Sequence, residues 1–293
     1  MSKMKTAIEK SNVLIEALPY IQQFKNKIVV IKYGGSTLEN DSPEISVLRD
    51  VVFMAAVGMK PIIIHGGGKH ISRRLEKENI KTEFVNGLRV TSKKAISIVE
   101  DVLVNEVNSW LVNKINELGY PATQLSGKTG RMIRVKKISG KNEKGENVDW
   151  GFVGEVQRIN PRPIFDVLLE EKIPVIAPLG VDADGYVYNI NADTVASEIA
   201  SSLTAEKLVY LTDVQGIFRN IKDENSLIST IKVDEIPKLK NEEVISGGMI
   251  PKVDACLGAL KNHVHKTHII NGKTPHSLLL EIFTDKGIGT EII

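Results

Sequence analysis

A chain of 293 residues that is 42% hydrophobic and 25% charged fits an ordinary soluble globular protein able to bury one large core or two smaller ones. Its net charge of +2, without any basic stripe interleaved with aromatics, leaves no electrostatic footprint for nucleic acid. The lone Cys256, in "DACLGAL", excludes an internal disulfide and reads as a core thiol in a reducing cytoplasm, and no apolar run is long enough for a signal peptide or a membrane span.

Ile8, Leu14, Ile15, Leu18 and Ile21 fall on one helical face, so residues 1–24 read as an amphipathic helix that needs a partner for its apolar stripe. The strand "KIVVIKYGG" (Lys27–Gly35), a helix over Ile45–Gly58, the strand "PIIIHGGG" and a following helix then alternate as in an α/β domain with a largely parallel sheet. Lys93–Leu118 reads as one long helix ending at Gly119, and "YPATQLSG" as another strand. Between Arg131 and Ile159 the alternation of β residues about a polar turn suggests an antiparallel hairpin projecting from the sheet, a common lid. "PRPIFDVLLEE" (helix), "IPVIAPLG" and "GYVYNIN" (strands) and "ADTVASEIASSL" (helix) follow, and a domain boundary is placed at its end, dividing 25–204 from 205–293. The remainder gives the strand "EKLVYLTDVQG", a helix at "VDEIPKL", the glycine-opened helix "ISGGMIPKVDACLGALKNHV", the strand "THIINGK", the helix "PHSLLLEIF" and a last strand "GTEII".

Three glycines between a β-branched strand and a helix start make "HGGGK" an anion site, because helix N-termini offer unpaired N–H groups and glycines admit close approach. Neither familiar nucleotide loop fits. A dinucleotide fingerprint needs glycine at Ile71, which removes a nicotinamide dehydrogenase, and a P-loop needs glycine at Ile63 and Ser or Thr at His70. Similar turns, "KYGGS", "TDVQG" and "SGGM", follow other β-like segments, and turns at several strand ends can converge on one crevice for a polyphosphate. Lys32 interrupts the apolar run "IVVIKYGG", where a cation needs a partner or an anionic ligand. Lys252 sits early in a helix, unfavourably unless an anion binds. Asp193 reads locally as an N-cap that could instead orient lysines, and Arg89 as an exposed loop residue that could instead clamp a carboxylate. His263, His265 and His268 read as a solvated helix end, without the ligand spacing of a metal site, and neither G-x-S-x-G nor an EF-hand occurs.

Taken in order, "VVIKYGG", "IIIHGGGKHI", "NGLRVT", "YNINADTVA", "LVYLTDVQGI" and "SGGMIPKVDA" resemble the amino-acid kinase family across Lys27–Ile293, and "NGLRVT" with "NINAD" point to its branch acting on N-acetyl-L-glutamate. The resemblance implies a three-layer α-β-α sandwich with an open, mainly parallel sheet, a first domain (25–204) for the acid and dimerisation, and a second (205–293) for ATP. It implies phosphorylation of the side-chain carboxylate of N-acetyl-L-glutamate by ATP, with Mg²⁺ bound through the ATP phosphates. It makes Lys32 and Lys252 transition-state stabilisers positioned by Asp193, and Gly34, Gly35, Gly67 and Gly68 N–H donors. Arg89, Asn189 and Asn191 would hold the acid. Thr212, Asp213, Val214, Gln215, Gly216, Ile217 and Phe218, with Val244, Ile245, Ser246, Gly248 and Met249, would line the ATP site. The N-terminal helix and the ending "PHSLLLEIFTDKGIGTEII" resemble the arginine-inhibited branch, a hexamer built as a trimer of dimers, with His268, Glu281 and Gly287 at the inhibitor site. A PII-type signalling protein is a partner the sequence leaves open, as are a sibling kinase for aspartate or carbamate and a silent arginine sensor on the same fold.

Overall fold

The computed structural model describes residues 2–34, 43–142, 144–284 and 287–293. Its first elements follow the expected alternation: helix α1 (Ser2–Phe24), strand β1 (Ile28–Tyr33), α2 (Pro43–Ala56), β2 (Lys60–His65), α3 (Gly68–Lys77), the short pair β3 (Phe84–Val85) and β4 (Leu88–Arg89), and α4 (Lys93–Asp101). Helix α5 (Ser109–Glu117), β5 (Ala122–Ser126), β6 (Ile133–Lys137), β7 (Gly140–Lys141), β8 (Asn147–Val148), β9 (Gly154–Ile159), α6 (Arg162–Leu169), β10 (Ile173–Ala177), β11 (Leu179–Val181) and β12 (Val187–Asn189) come next. The chain closes with α7 (Ala192–Ser202), β13 (Lys207–Thr212), β14 (Thr230–Ile231), α8 (Ile236–Asn241), α9 (Met249–Lys261), β15 (Lys266–Asn271), α10 (Ser277–Ile282) and β16 (Thr290–Ile292).

An eight-stranded sheet in the order β14-β16-β15-β13-β1-β2-β10-β5 runs through the molecule. From β15 to β5 all neighbours are parallel, and β16 with β14 turns the far edge antiparallel. β1 pairs directly with β13, so the sheet is continuous across the boundary expected after residue 204. Both faces are covered, as a parallel sheet requires. Val29, Ile31, Tyr33 and Ile63 pack on one face with Leu48, Leu103 and Leu111. Val30, Ile62 and Ile64 pack on the other with Val195, Ile199, Val253 and Cys256. The thiol is thus a core group, and burial pushes it up to about 12.

The segment Arg131–Ile159 pairs antiparallel as expected: its base, β6 against β9, is built into a four-stranded sheet (β12-β11-β6-β9), and its tip, β7 against β8, forms a separate two-stranded pair about the polar turn. The stretch leading into β9 is tied to both sides of β4, with Thr91 N donating to Trp150 O and Trp150 Nε1 to Val85 O. Lys93–Glu117 is helical throughout, yet Val102–Asn108 between α4 and α5 is wound as a π-helix. The wider turn places Asn108 in the core, where its amide donates to Leu125 O at 3.2 Å and Val175 O at 2.9 Å and ties β5 to β10. Asn108→Ala should therefore cost about 2 kcal/mol of stability through lost buried hydrogen bonds. Urea unfolding measures this, and an unchanged midpoint would show that the tie is dispensable.

Candidate active site

Side chains alternate along a strand, so Lys32 shares the β1 face of Val30, the face that α7 and α9 cover. Those helices bring it two partners. Asp193, the second residue of α7, meets Lys32 Nζ at 2.9 Å through Oδ1, and Lys252, the fourth residue of α9, donates to its Oδ2 at 2.7 Å. Only the Lys252 contact has hydrogen-bond alignment, and the Lys32 contact is an ion pair. Burial alone would raise the Asp193 carboxyl, but the two ammonium groups outweigh it and hold the group below the usual carboxylate range. Asp193 is not the cap that its local sequence suggests. Asn191 caps α7, its side chain accepting from Asp193 N at 2.7 Å and Thr194 N at 3.4 Å, which leaves the Asp193 carboxylate to the lysines.

Lys32 and Asp193 form one wall of a cleft of about 400 Å³, and the turn Gly66–Gly68 forms another. A Cβ on Gly67 would lie 2.6 Å from Leu103 Cδ2, so a larger residue there would have to displace that side chain. Asn189, at the end of β12, and Asn191 face the same space. Arg89 lines it too, and is buried instead of exposed, with its guanidinium 4.7 Å from the centre of the Phe84 ring. It donates to Gly68 O at 2.8 Å, Ser72 Oγ at 2.9 Å and Thr82 Oγ1 at 3.3 Å. Gly34 follows β1 next to the Lys32 ammonium, and Gly35 lies outside the described residues.

The glycine-rich turns divide between two cavities. A second one, of about 370 Å³, is walled by Val214, Gly216, Ile217, Phe218, Val244, Ser246 and Met249, together with Arg219, Asn220, Ile221 and Glu243. Thr212 and Ile245 are buried behind this wall. The Thr212 hydroxyl closes the strand end, 2.8 Å from Val214 O. Asp213 and Gln215 are exposed in the same turn, and Gly248 caps α9.

A third cavity, of about 250 Å³, collects His268, Glu281 and Gly287 with Tyr20, Gln23 and Phe24 from the end of α1. His268 belongs to β15 and is buried, not part of a solvated helix end, because the strand starts at Lys266 and turns this ring inward. It lies 2.7 Å from Glu281 Oε1 through Nδ1 and 3.1 Å from Lys207 Nζ through Nε2. Burial lowers the His268 pKa despite Glu281, so the neutral ring donates to the carboxylate and accepts from the lysine. The second Glu281 oxygen accepts from Ile288 N at 2.7 Å and Gly289 N at 3.1 Å.

Residues 27–271 match the profile of the Amino acid kinase family. The chain belongs to that family. Among similar proteins, the acetylglutamate kinase of Heliobacterium modesticaldum is 50% identical over 294 residues, spanning 99% of this chain and 100% of its own. The acetylglutamate kinase of Pelotomaculum thermopropionicum is 48% identical over 293 residues, 99% of each chain. The N-acetylglutamate synthase of Neisseria gonorrhoeae, complexed with coenzyme A and N-acetyl-glutamate, superposes with a TM-score of 0.81 at 26% identity, over 95% of this chain and 62% of its own length. The same synthase complexed with coenzyme A and L-arginine gives 0.78 at 25% identity, over 94% of this chain and 63% of that one. Giardia lamblia carbamate kinase bound to AMP-PNP, at 16% identity over 92% of this chain and 98% of its own, shares the fold with a TM-score of 0.61.

Several groups in the cavities of this amino acid kinase were not singled out from sequence. Ser72 and Thr82 serve Arg89 from a neighbouring helix and loop, which local reading cannot join. Lys207 carried the signal that exposed Lys32, a lysine in the apolar strand "KLVYLT". The Asp193 bridge has a pH signature. A carboxyl whose pKa is lower in the folded chain contributes stability that is complete above its unfolded value of about 3.9 and is lost as pH falls through the folded value. Asp193→Asn should therefore be less stable than the wild type near neutral pH, with the difference narrowing below about pH 4. Melting temperature against pH measures this, and a gap that widens on acidification would contradict it.

Proposed function

We propose that this chain transfers the γ-phosphoryl group of ATP to the side-chain carboxylate of N-acetyl-L-glutamate, the acetylglutamate kinase reaction and the second step of arginine biosynthesis. The observation that carries the reading is the Lys32–Asp193–Lys252 bridge beside the glycine turn. A carboxylate oxygen forms a bond to the γ-phosphorus as the bond to the β,γ-bridging oxygen breaks, and the electron pair leaves with ADP. A glutamate side chain, with a pKa of about 4.3, is already ionised, so no proton has to move and no general base is required. What the site must do is align two anions that repel each other and stabilise charge on the group in flight.

Lys32 and Lys252 are assigned that charge, with Asp193 holding both ammonium groups in place before substrates arrive. Gly34, Gly35, Gly67 and Gly68 supply backbone N–H groups. Arg89, Asn189 and Asn191 hold the acid, and Arg89 has donors to spare, because a guanidinium offers five. The cavity behind Val214–Phe218 and Met249 takes the nucleotide. The donor set fits a metal carried on the nucleotide, since the buried carboxylate of the site, Asp193, is committed to two lysines. Mg²⁺ bound through the ATP phosphates would neutralise charge on the transferring group. Residues 25–204 form the acid-binding and dimerisation domain and 205–293 the nucleotide domain in this reading.

Arginine is assigned to the third cavity as inhibitor. Supporting this, His268, Glu281 and Gly287 share that cavity with the end of α1, and the similar Neisseria synthase was captured with L-arginine. Residues 1–24 are assigned to docking of a second copy within a hexamer, and α1 exposes Ile8, Ile15 and Leu18 for it. PII-type signalling proteins are a further candidate partner. No helix among the described residues is long and apolar enough to cross a membrane, and the assigned pathway belongs in the cytoplasm.

ADP release with N-acetylglutamate, glutamate, aspartate and carbamate, with and without arginine and a chelator, tests the reading. Turnover is expected with N-acetylglutamate alone, lost on chelation and reduced by arginine. Turnover with none of the acids would overturn the enzyme, and preference for another acid would reassign the substrate. Lys32→Ala should lower kcat roughly 100-fold or more with a much smaller change in KM, as expected for an interaction made in the transition state. A large rise in KM at unchanged kcat would remove that role. Glu281→Gln should weaken arginine inhibition while leaving uninhibited turnover within about threefold, since it lies outside the transfer site.

A further inference from the structure

His65, at the end of β2, is fully buried on the sheet face of Ile63, beneath the glycine turn, and has no part in the chemistry assigned above. Its Nδ1 lies 2.7 Å from Gly66 O. Its Nε2 is buried with no hydrogen-bond partner among the described residues. These two facts fix the tautomer. A proton on Nε2 would leave a buried donor unpaired and turn the Nδ1 lone pair against a carbonyl oxygen, whereas a proton on Nδ1 satisfies Gly66 O and leaves only a lone pair unmet. Burial lowers the ring's pKa to about 4, against the pull of the Gly66 bond and with a small contribution from His70, so one proton is present throughout the neutral range.

The consequence lies on the other side of the peptide. Gly66 C=O and Gly67 N–H belong to one trans peptide and point in opposite directions. A carbonyl drawn inward onto His65 therefore turns the Gly67 N–H outward, towards the cleft that Gly66, Gly67 and Gly68 line. The preceding N–H is not available for a ligand, because Gly66 N donates to Tyr33 O at 2.7 Å.

We propose that His65 is a positioning residue for phosphoryl transfer: its Nδ1–H anchors the Gly66 carbonyl and thereby aims the Gly67 N–H at the oxygens of the transferring group. The ring touches neither substrate, and its effect is confined to the orientation of one peptide. The inference rests on the kinase reading for what the N–H serves.

Three variants of the full chain, assayed with ATP and N-acetylglutamate, separate this role from packing. His65→Asn places an amide nitrogen near the position of Nδ1, His65→Gln places it near Nε2, and His65→Leu fills the space without a donor. Asn should keep kcat within about threefold of wild type, while Gln and Leu lower it about tenfold or more, with KM for both substrates changing less than threefold. Equal kcat for Asn, Gln and Leu, or a loss confined to KM, would overturn the proposal. The ring itself supplies a readout that needs no variant: ¹⁵N–¹H correlation of the imidazole at pH 6–8 should show a neutral ring with the proton on Nδ1. A proton on Nε2, or an imidazolium, would overturn it even if every variant failed to fold. Wild-type inactivity on all four acids would remove the kinase reading instead, and the tautomer measurement would still decide the hydrogen bond.

Discussion

A single carboxylate shared by two ammonium groups organises this molecule. Asp193 is mostly shielded by apolar helices and strands, where an isolated charge is disfavoured, and it stays ionised because Lys32 and Lys252 arrive from two other elements. The requirement runs in both directions. Lys32 interrupts the apolar face of β1, and its ammonium needs the Asp193 carboxylate as much as the carboxylate needs it. β1, α7 and α9 meet in an arrangement that leaves none of the three charges unpaired and puts net positive charge beside the glycine turn. In the proposed reaction that excess charge is fixed before substrates bind, so little reorganisation accompanies transfer.

The glycine turn is held by contacts that leave its N–H edge to the cleft. Gly66 N is used by Tyr33 O, Gly67 O accepts from Ile71 N at the start of α3, and Gly68 O accepts from Arg89. Carbonyls and strand contacts thus fix the loop from behind. Arg89 joins two tasks, since the same guanidinium that fastens the loop and Ser72 also lines the cleft. A substitution there would be expected to alter loop geometry along with any contact to the acid, which is why Lys32 is the cleaner probe of charge.

Strand–glycine–helix units were legible in the sequence because β-branched runs, glycines and amphipathic periods are local signals. The apolar run "IVVIKYGG" even marked Lys32 as a charge in need of a partner, although not which partner. Local sequence leaves Asp193 open between a cap and a partner for lysines, because Asn191 and Asp193 are both competent caps and only the backbone path into α7 decides between them. The local reading of Arg89 as an exposed loop residue fails because its contacts with Phe84, Ser72 and Thr82 form only in the fold. The π-wound stretch Val102–Asn108 leaves no clear signature, since one extra residue per turn barely alters an apolar period and its anchor is a distant pair of carbonyls. Three histidines close in sequence invited one reading, yet the start of β15 at Lys266 separates His268 from the other two.

Strand β13 relates the cavities to one another. Lys207, at its beginning, faces His268 and the end of α1, and Thr212, at its end, shapes the turn that walls the nucleotide cavity. A strand paired on both sides within a continuous sheet cannot shorten or slide, so it makes a poor messenger between its two ends. Helix α10 gives that cavity a second connection. It carries Glu281, and the residue before it, His276, grips α2 through Asp50 at 2.7 Å and the Ser46 hydroxyl at 2.8 Å. Burial raises the Asp50 carboxyl, and its hydrogen bonds to His276 and the Leu278 N–H are what keep so buried an acid in place. Whatever the α1–α10 cavity holds, displacement of α10 would have to break its bonds to this buried acid on α2.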